Sequence, residues 1–186
     1  MERTGSENDR FLELLLPVRG RLVGFARSIT DSEEDAADLV GDTLLTALES
    51  FGTLRDDEAF LAWLFTIAAR TGRRRRRRGS LFTRYTRDLR PDLIPIESIP
   101  PDAGPDIALL YEAMAQLPAL QREAIALYEL SGLPIAEIRK IQGGSASAVK
   151  MRLMRGRDRL AELLGAENDL PTTVKCHATV TANDAR

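Results

Sequence analysis

Apolar side chains recur along this chain at helical intervals, and turn-forming residues sit in the breaks between the runs. Phe11, Leu14, Leu15, Val18, Leu22, Val23 and Phe25 predict a helix from Asp9 or Arg10 to about Ile29, with Pro17 as a kink or break. Residues 1–9 read as a loose terminus. Thr30-Asp31-Ser32 followed by Glu33, Glu34 and Asp35 marks a second start, because a capping oxygen precedes carboxylates that complement the positive end of a helix dipole. That helix, about Ser32 to Phe51, has Val40, Leu44, Ala47, Leu48 and Phe51 on one side and Asp35, Asp38, Asp42 and Glu49 in a narrow arc on the other. Leu39 borders the acidic arc, as an interface residue would. After a polar loop from Gly52 to Glu58, a helix starting at Asp57 or Glu58 buries Phe60, Trp63, Leu64, Ile67 and Ala68. It then runs into Arg70, Gly72 and the unbroken arginines Arg73 to Arg78.

Residues 79–105 carry Gly79, Pro91, Pro95, Pro100, Pro101, Gly104 and Pro105 with little periodicity, the signature of a linker. Two small helical domains follow from it, 9–78 and 106–165, with a mobile tail at 166–186. The second opens with Asp106 as a cap, a helix bearing Ile107, Leu110, Met114 and Leu117, a break at Pro118, and a helix from Ala119 to Leu130. From Leu133 to Leu164 a short helix, a Gly143-Gly144 break and a longer helix read as a helix-turn-helix. On the longer helix Val149, Leu153, Leu160 and Leu164 form one stripe, while Arg152, Arg155 and Arg159 cluster opposite. Ser145 or Ser147 can cap its first turn. Residues Ser147 through Met151, with Lys150, Arg152 and Arg155, would then face a DNA major groove. Taken alone, the same pattern also fits an amphipathic surface helix with a solvated basic face.

Strand-type alternation is confined to Thr172–Thr181, so the fold class is all-α. No apolar run approaches the roughly 18 residues that span a bilayer, and the acidic, polar N-terminus lacks the form of an export signal, so a cytoplasmic protein without membrane insertion is expected. The single Cys176 cannot form an internal disulfide, and with one neighbouring His177 no Cys/His metal site can be completed. A thiol sensor and an ordinary tail residue are both open readings of Cys176. There is no Gly-rich phosphate loop, no nucleophile with a usable histidine and no carboxylate cluster spaced for a metal; no cofactor is expected, and an enzyme reading lacks residues.

The formal net charge of −2 conceals a block pattern: −8 over residues 1–65, +9 over 66–90, −7 over 91–137 and +5 over 138–165. Two basic blocks separated by acidic ones suggest two contacts with a polyanion, and the acidic blocks suggest a basic protein partner or self-screening. The acidic arc fits either a solvated face or a docking surface for a basic helix. The arginine run fits either a nucleic-acid contact or a disordered basic linker; a run so dense stays ordered only if it grips phosphate or trails into a loop.

Three strings then coincide. Asp35-Ala-Ala-Asp-Leu-Val-Gly-Asp-Thr-Leu resembles the DAEDLVQETF helix in the second region of bacterial extracytoplasmic-function (ECF) sigma factors. Ala62-Trp-Leu-Phe-Thr-Ile-Ala-Ala-Arg resembles the family's AWLYRIARN string. Leu117-Pro through Arg122, Gly132-Leu-Pro-Ile-Ala-Glu-Ile, and Val149-Lys-Met-Arg-Leu-Met-Arg-Gly-Arg resemble its fourth region. The resemblance covers roughly residues 9–165 in order, with the linker in the right place.

It implies an initiation factor without catalysis of its own. Its partners would be RNA polymerase core, through the clamp helices of the largest subunit and the flap region, promoter DNA, and an anti-sigma factor. Asp35, Asp38, Leu39 and Asp42 would contact the clamp helices. Phe51 and Arg70, with Arg73, Arg74 and Arg77, would capture the opened −10 element, and Trp63 would belong to the core. Ser147, Lys150, Met151, Arg152 and Arg155 would read the −35 element. The chain departs from the family pattern at Gly41-Asp42, which replaces Gln-Glu, at Arg70, where Asn is common, and at Ala148 and Met151, which replace Thr and Ser. A regulator that binds duplex directly through its helix-turn-helix, and a sigma mimic that binds an anti-sigma factor without DNA, are the competing readings.

Overall fold

In a computed structural model the chain is described over residues 5–78 and 105–165, and every element there is helical. The first group comprises α1 (Gly5–Leu15), α2 (Arg19–Ile29), α3 (Glu33–Ser50) and α4 (Phe60–Arg78). The second comprises α5 (Pro105–Ala115), α6 (Ala119–Ile125), α7 (Ile135–Gln142) and α8 (Ala146–Leu163). The linker expected at 79–105 lies outside the described residues except for Pro105, and the tail at 166–186, with the strand-like Thr172–Thr181, Cys176 and His177, lies wholly outside them.

Local chemistry accounts for most boundaries. Pro17 falls in a single 3-10 turn, Leu16–Val18, that separates α1 from α2, since proline cannot donate the hydrogen bond a continuous helix needs there. Ser32 caps α3: its hydroxyl accepts from the Asp35 amide at 3.1 Å, with Glu33, Glu34 and Asp35 in the first turn. Asp56 performs the same service for the Glu58 amide at 3.0 Å, so α4 is entered through a 3-10 turn at Asp57–Ala59. The expected loose start is helical instead from Gly5. The helix expected at Ala119–Leu130 changes pitch, because α6 gives way to a π turn at Ala126–Leu130 whose end is fixed by Ser131: both its amide and its hydroxyl donate to Ala126 O at 3.0 Å.

The core is continuous across the two groups. Phe25 and Phe65 meet edge to face at 5.4 Å beneath Leu22, Leu39 and Leu64, while Leu127, Ile138, Val149 and Leu153 fill the second group. Helix α2 sits between them, packing on α3 and α4 on one side and on α5, α6 and the 126–130 turn on the other. In the first group a second aromatic cluster joins Phe11, Phe51, Phe60 and Trp63 at ring separations of 5.2 to 6.4 Å.

Two residues to which the resemblance gives contact roles are buried by this packing. Leu39 is fully buried, because α3 is covered on two sides: its δ-carbons face Gly72 of α4, where the missing side chain lets the helices approach. Phe51 is 2% exposed, held edge to face by Phe11 in that aromatic cluster, and offers no face to a base.

Candidate nucleic-acid interface

The arginine run does not trail into a loop. Helix α4 carries it in regular helical form to Arg78, and acids of this same chain neutralise part of it. Arg75 donates from Nη1 to Asp42 Oδ2 at 2.6 Å and from Nη2 to Asp38 Oδ2 at 3.0 Å, tying α4 to the acidic stripe of α3. Partial burial alone would make the Arg75 guanidinium easier to deprotonate; the two carboxylates outweigh it and raise the pKa above the ordinary arginine value. Asp35 is turned back onto its own cap, accepting from the Ser32 hydroxyl at 2.7 Å.

Residues four and three apart on α4 share a face, and Arg70, Arg73, Arg74 and Arg77 together line an open recess of about 380 Å³. Arg70, Arg74 and Arg77 are exposed. Arg73 is half-buried and reaches the second group, where its guanidinium grips Glu123 of α6 and the Ile141 carbonyl.

The helix-turn-helix is built from α7 and α8. Gly143 and Gly144 adopt φ of 76° and 88°, a left-handed backbone that side chains other than glycine rarely accept, so the chain reverses within two residues. Ser145, the first of the two capping candidates, supplies the cap, accepting from the Ala148 amide at 3.1 Å. Val149, Leu153 and Gly156 form the buried stripe with half-buried Leu160, whereas Leu164 is exposed past the helix end. Ser147, Lys150, Met151 and Arg155 are exposed on the opposite side, an outward basic face at the start of α8. Arg152 is half-buried and donates from Nη1 to Gln142 Oε1 at 3.0 Å.

Those two basic faces coincide with two family matches: the model for sigma-70 region 2 covers residues 14–81, and that for sigma-70 region 4 covers residues 107–160. The RNA polymerase sigma factor CarQ of Myxococcus xanthus is 32% identical over 164 residues, 88% of this chain and 93% of the relative. The chain belongs to the sigma-70 family, in its ECF group. The ECF sigma factor SigM of Mycobacterium tuberculosis is 33% identical over 143 residues, 77% of this chain and 71% of SigM. Among solved structures, the sigma factor RpoE of Bartonella quintana, in complex with the anti-sigma factor NepR, superposes with a TM-score of 0.68 at 34% identity, over 85% of this chain and 98% of RpoE. CnrH, in complex with the cytosolic domain of CnrY, gives 0.63 at 27% identity over 86% and 90%. As a sigma factor, the protein serves promoter-specific transcription initiation with RNA polymerase.

Three residues of this sigma factor escaped the reading of its sequence: Arg75, Glu123 and Gln142. Glu123 carried a usable signal, since it lies one helical turn before buried Leu127, on a side of α6 where a charge needs a partner. Arg75 was submerged in a run of identical residues. Among the described residues no helix is long and apolar enough to cross a membrane.

Proposed function

We propose that this sigma factor divides its work between residues 9–78 and 106–165, joined by the segment 79–105. The first part docks on the polymerase clamp helices through Asp35, Asp38 and Asp42 and holds the opened −10 strand with Arg70, Arg73, Arg74 and Arg77. The second reads the −35 element as duplex through Ser147, Lys150, Met151, Arg152 and Arg155. The observation that carries this reading is the pair of arginine faces, one on α4 and one on α8, each falling inside its own sigma region match. The recess on α4 suits a flexible single strand, because four guanidinium groups on one face track a phosphate backbone without reading bases. The capped start of α8 suits a groove, because its exposed side chains project past a free helix end.

The chain acts without catalysis of its own: polymerase supplies the chemistry, and this protein supplies position. It works in the cytoplasm, where its promoter and polymerase are, and an anti-sigma factor restrains it, a partnership that the complexes of RpoE and CnrH support. Addition of the pure chain to bacterial core polymerase and fragmented genomic DNA, with sequencing of transcript ends, should give defined starts preceded by two common elements. Absence of such starts, with tight binding of the chain alone to duplex DNA, would favour a stand-alone regulator.

A further inference from the structure

Asp38 and Asp42 stand four residues apart on one face of α3, where like charges repel and would drive the two carboxylates apart. A single side chain from the neighbouring helix opposes this. Gly72 of α4 lies so close to Leu39 that an added Cβ would stand 3.6 Å from Leu39 Cδ2, and one turn further along α4 comes Arg75. Its Nη2 donates to Asp38 Oδ2 at 3.0 Å and its Nη1 to Asp42 Oδ2 at 2.6 Å. The guanidinium is planar and its terminal nitrogens are fixed relative to each other, so one arginine sets the spacing of the two acids as well as their direction. The fork takes Oδ2 of each acid and leaves Oδ1 of each outside it, on side chains that remain 30% and 32% exposed.

We infer that Arg75 is a positioning residue for polymerase docking: it holds the Asp38 and Asp42 carboxylates at a fixed spacing, with one oxygen of each left for a basic partner. The inference rests on the reading of these acids as the docking contact. Two effects of the arginine oppose each other. Its charge offsets part of the acidic stripe and so weakens the long-range pull on a basic partner, but salt at about 0.15 M screens that pull beyond about 8 Å. Its hydrogen bonds order two side chains that a partner would otherwise have to immobilise on binding, and for two short side chains this amounts to about five- to tenfold in affinity. At such salt the ordering prevails, and the arginine strengthens docking although its charge has the wrong sign. A lysine in its place would keep the charge and lose the fork, because an ammonium is a point charge that cannot span both carboxylates in one geometry.

The test is displacement of a fluorescently labelled parent chain from bacterial core polymerase by unlabelled full-length variants, at about 0.15 M salt and without DNA. Arg75→Gln should need about five- to tenfold more protein than the parent for half-displacement, and Arg75→Lys about threefold more. Arg76→Gln makes the same charge change at an exposed neighbour on α4 and should stay within about twofold. Asp38→Asn with Asp42→Asn should weaken binding, and Arg75→Gln added to that pair should change nothing further, a non-additivity that general damage to the packing of α3 on α4 would not produce. Should Arg75→Gln lose its helical circular dichroism, Arg75→Lys carries the test. Parental or stronger binding in the folded Arg75 variant overturns the inference, stronger binding making the arginine a competitor for the acids. An equal loss in Arg76→Gln, or a full further loss on the double-Asn background, overturns it as well. Parental affinity in the double-Asn variant removes the docking reading and this inference together, whereas a loss there beside parental affinity in the Arg75 variant removes this inference alone.

Discussion

Gly156 and Gly41 are both helical glycines, and the structure predicts opposite consequences for the same substitution. At Gly41, in the middle of α3, an added Cβ meets nothing within 4 Å, so Gly41→Ala should realise the full helix-propensity gain of about 0.8–1 kcal/mol. At Gly156, in the buried stripe of α8, the added Cβ would stand 2.6 Å from Ile125 Cδ1 and 3.3 Å from Ile125 Cγ1, well inside the ~3.5–4.0 Å of a comfortable carbon contact. Ile125 is 4% exposed on α6, so its δ-methyl can turn aside only by displacing other packed groups. Overpacking of this kind costs about 1–3 kcal/mol, and after the propensity gain the net loss should be about 1 kcal/mol. The two variants should therefore lie about 2 kcal/mol apart in urea denaturation followed by circular dichroism, with midpoints moving in opposite directions and slopes unchanged. Equal stabilisation of both would refute the close approach of α6 and α8, and with it the placement of the basic face that α8 presents.

Three further expectations concern the site. Ser145→Ala removes the cap of α8 and should cost about 1 kcal/mol of stability by the same denaturation assay, with duplex binding weakened as the helix start frays. Arg74→Gln and Arg77→Gln, at exposed positions of the recess, should each lower the salt dependence of single-strand binding by about 0.7 in the log–log slope; an unchanged slope would remove these arginines from the strand path. Burial raises the pKa of Tyr111 above its ordinary value of 10, with Arg27 opposing and Glu33 reinforcing the shift. The unfolded chain then loses that proton first. The stability this tyrosine contributes is present below pH 10 and lost as pH rises through its folded pKa, so Tyr111→Phe should flatten the alkaline limb of a stability-versus-pH curve.

The period of the apolar residues gave most of the helices their inner face, though Ile107 of α5 is exposed, and cap chemistry gave several starts, because both are local: Ser32, Asp31 to Asp35, Gly143-Gly144 and Ser145 act within one turn of where they stand. What escaped depended on neighbours distant in sequence. Leu39 lies just off the apolar arc of α3, and it is buried because Gly72 admits α4 so closely, a contact no single-helix pattern contains. The resemblance assigned Phe51 to capture of the −10 element, but Phe11, forty positions earlier, covers it. The six arginines read as one block of charge, yet on the helix they point in different directions. Arg75 meets Asp38 and Asp42, Arg73 meets Glu123, and Arg74 and Arg77 face outward. Alternation of charged blocks did forecast that the chain could screen itself, as Arg75 does against Asp38 and Asp42.

We propose that an acidic stripe on α3 recruits polymerase so that the two arginine faces can act on a promoter. The most direct test is transcription from defined starts by bacterial core polymerase supplemented with this chain, compared with the double variant Asp38→Arg and Asp42→Arg whose helical content is confirmed. The account predicts discrete starts with the parent and their loss with the variant at equal concentration. Starts that persist at full strength in the variant would contradict it.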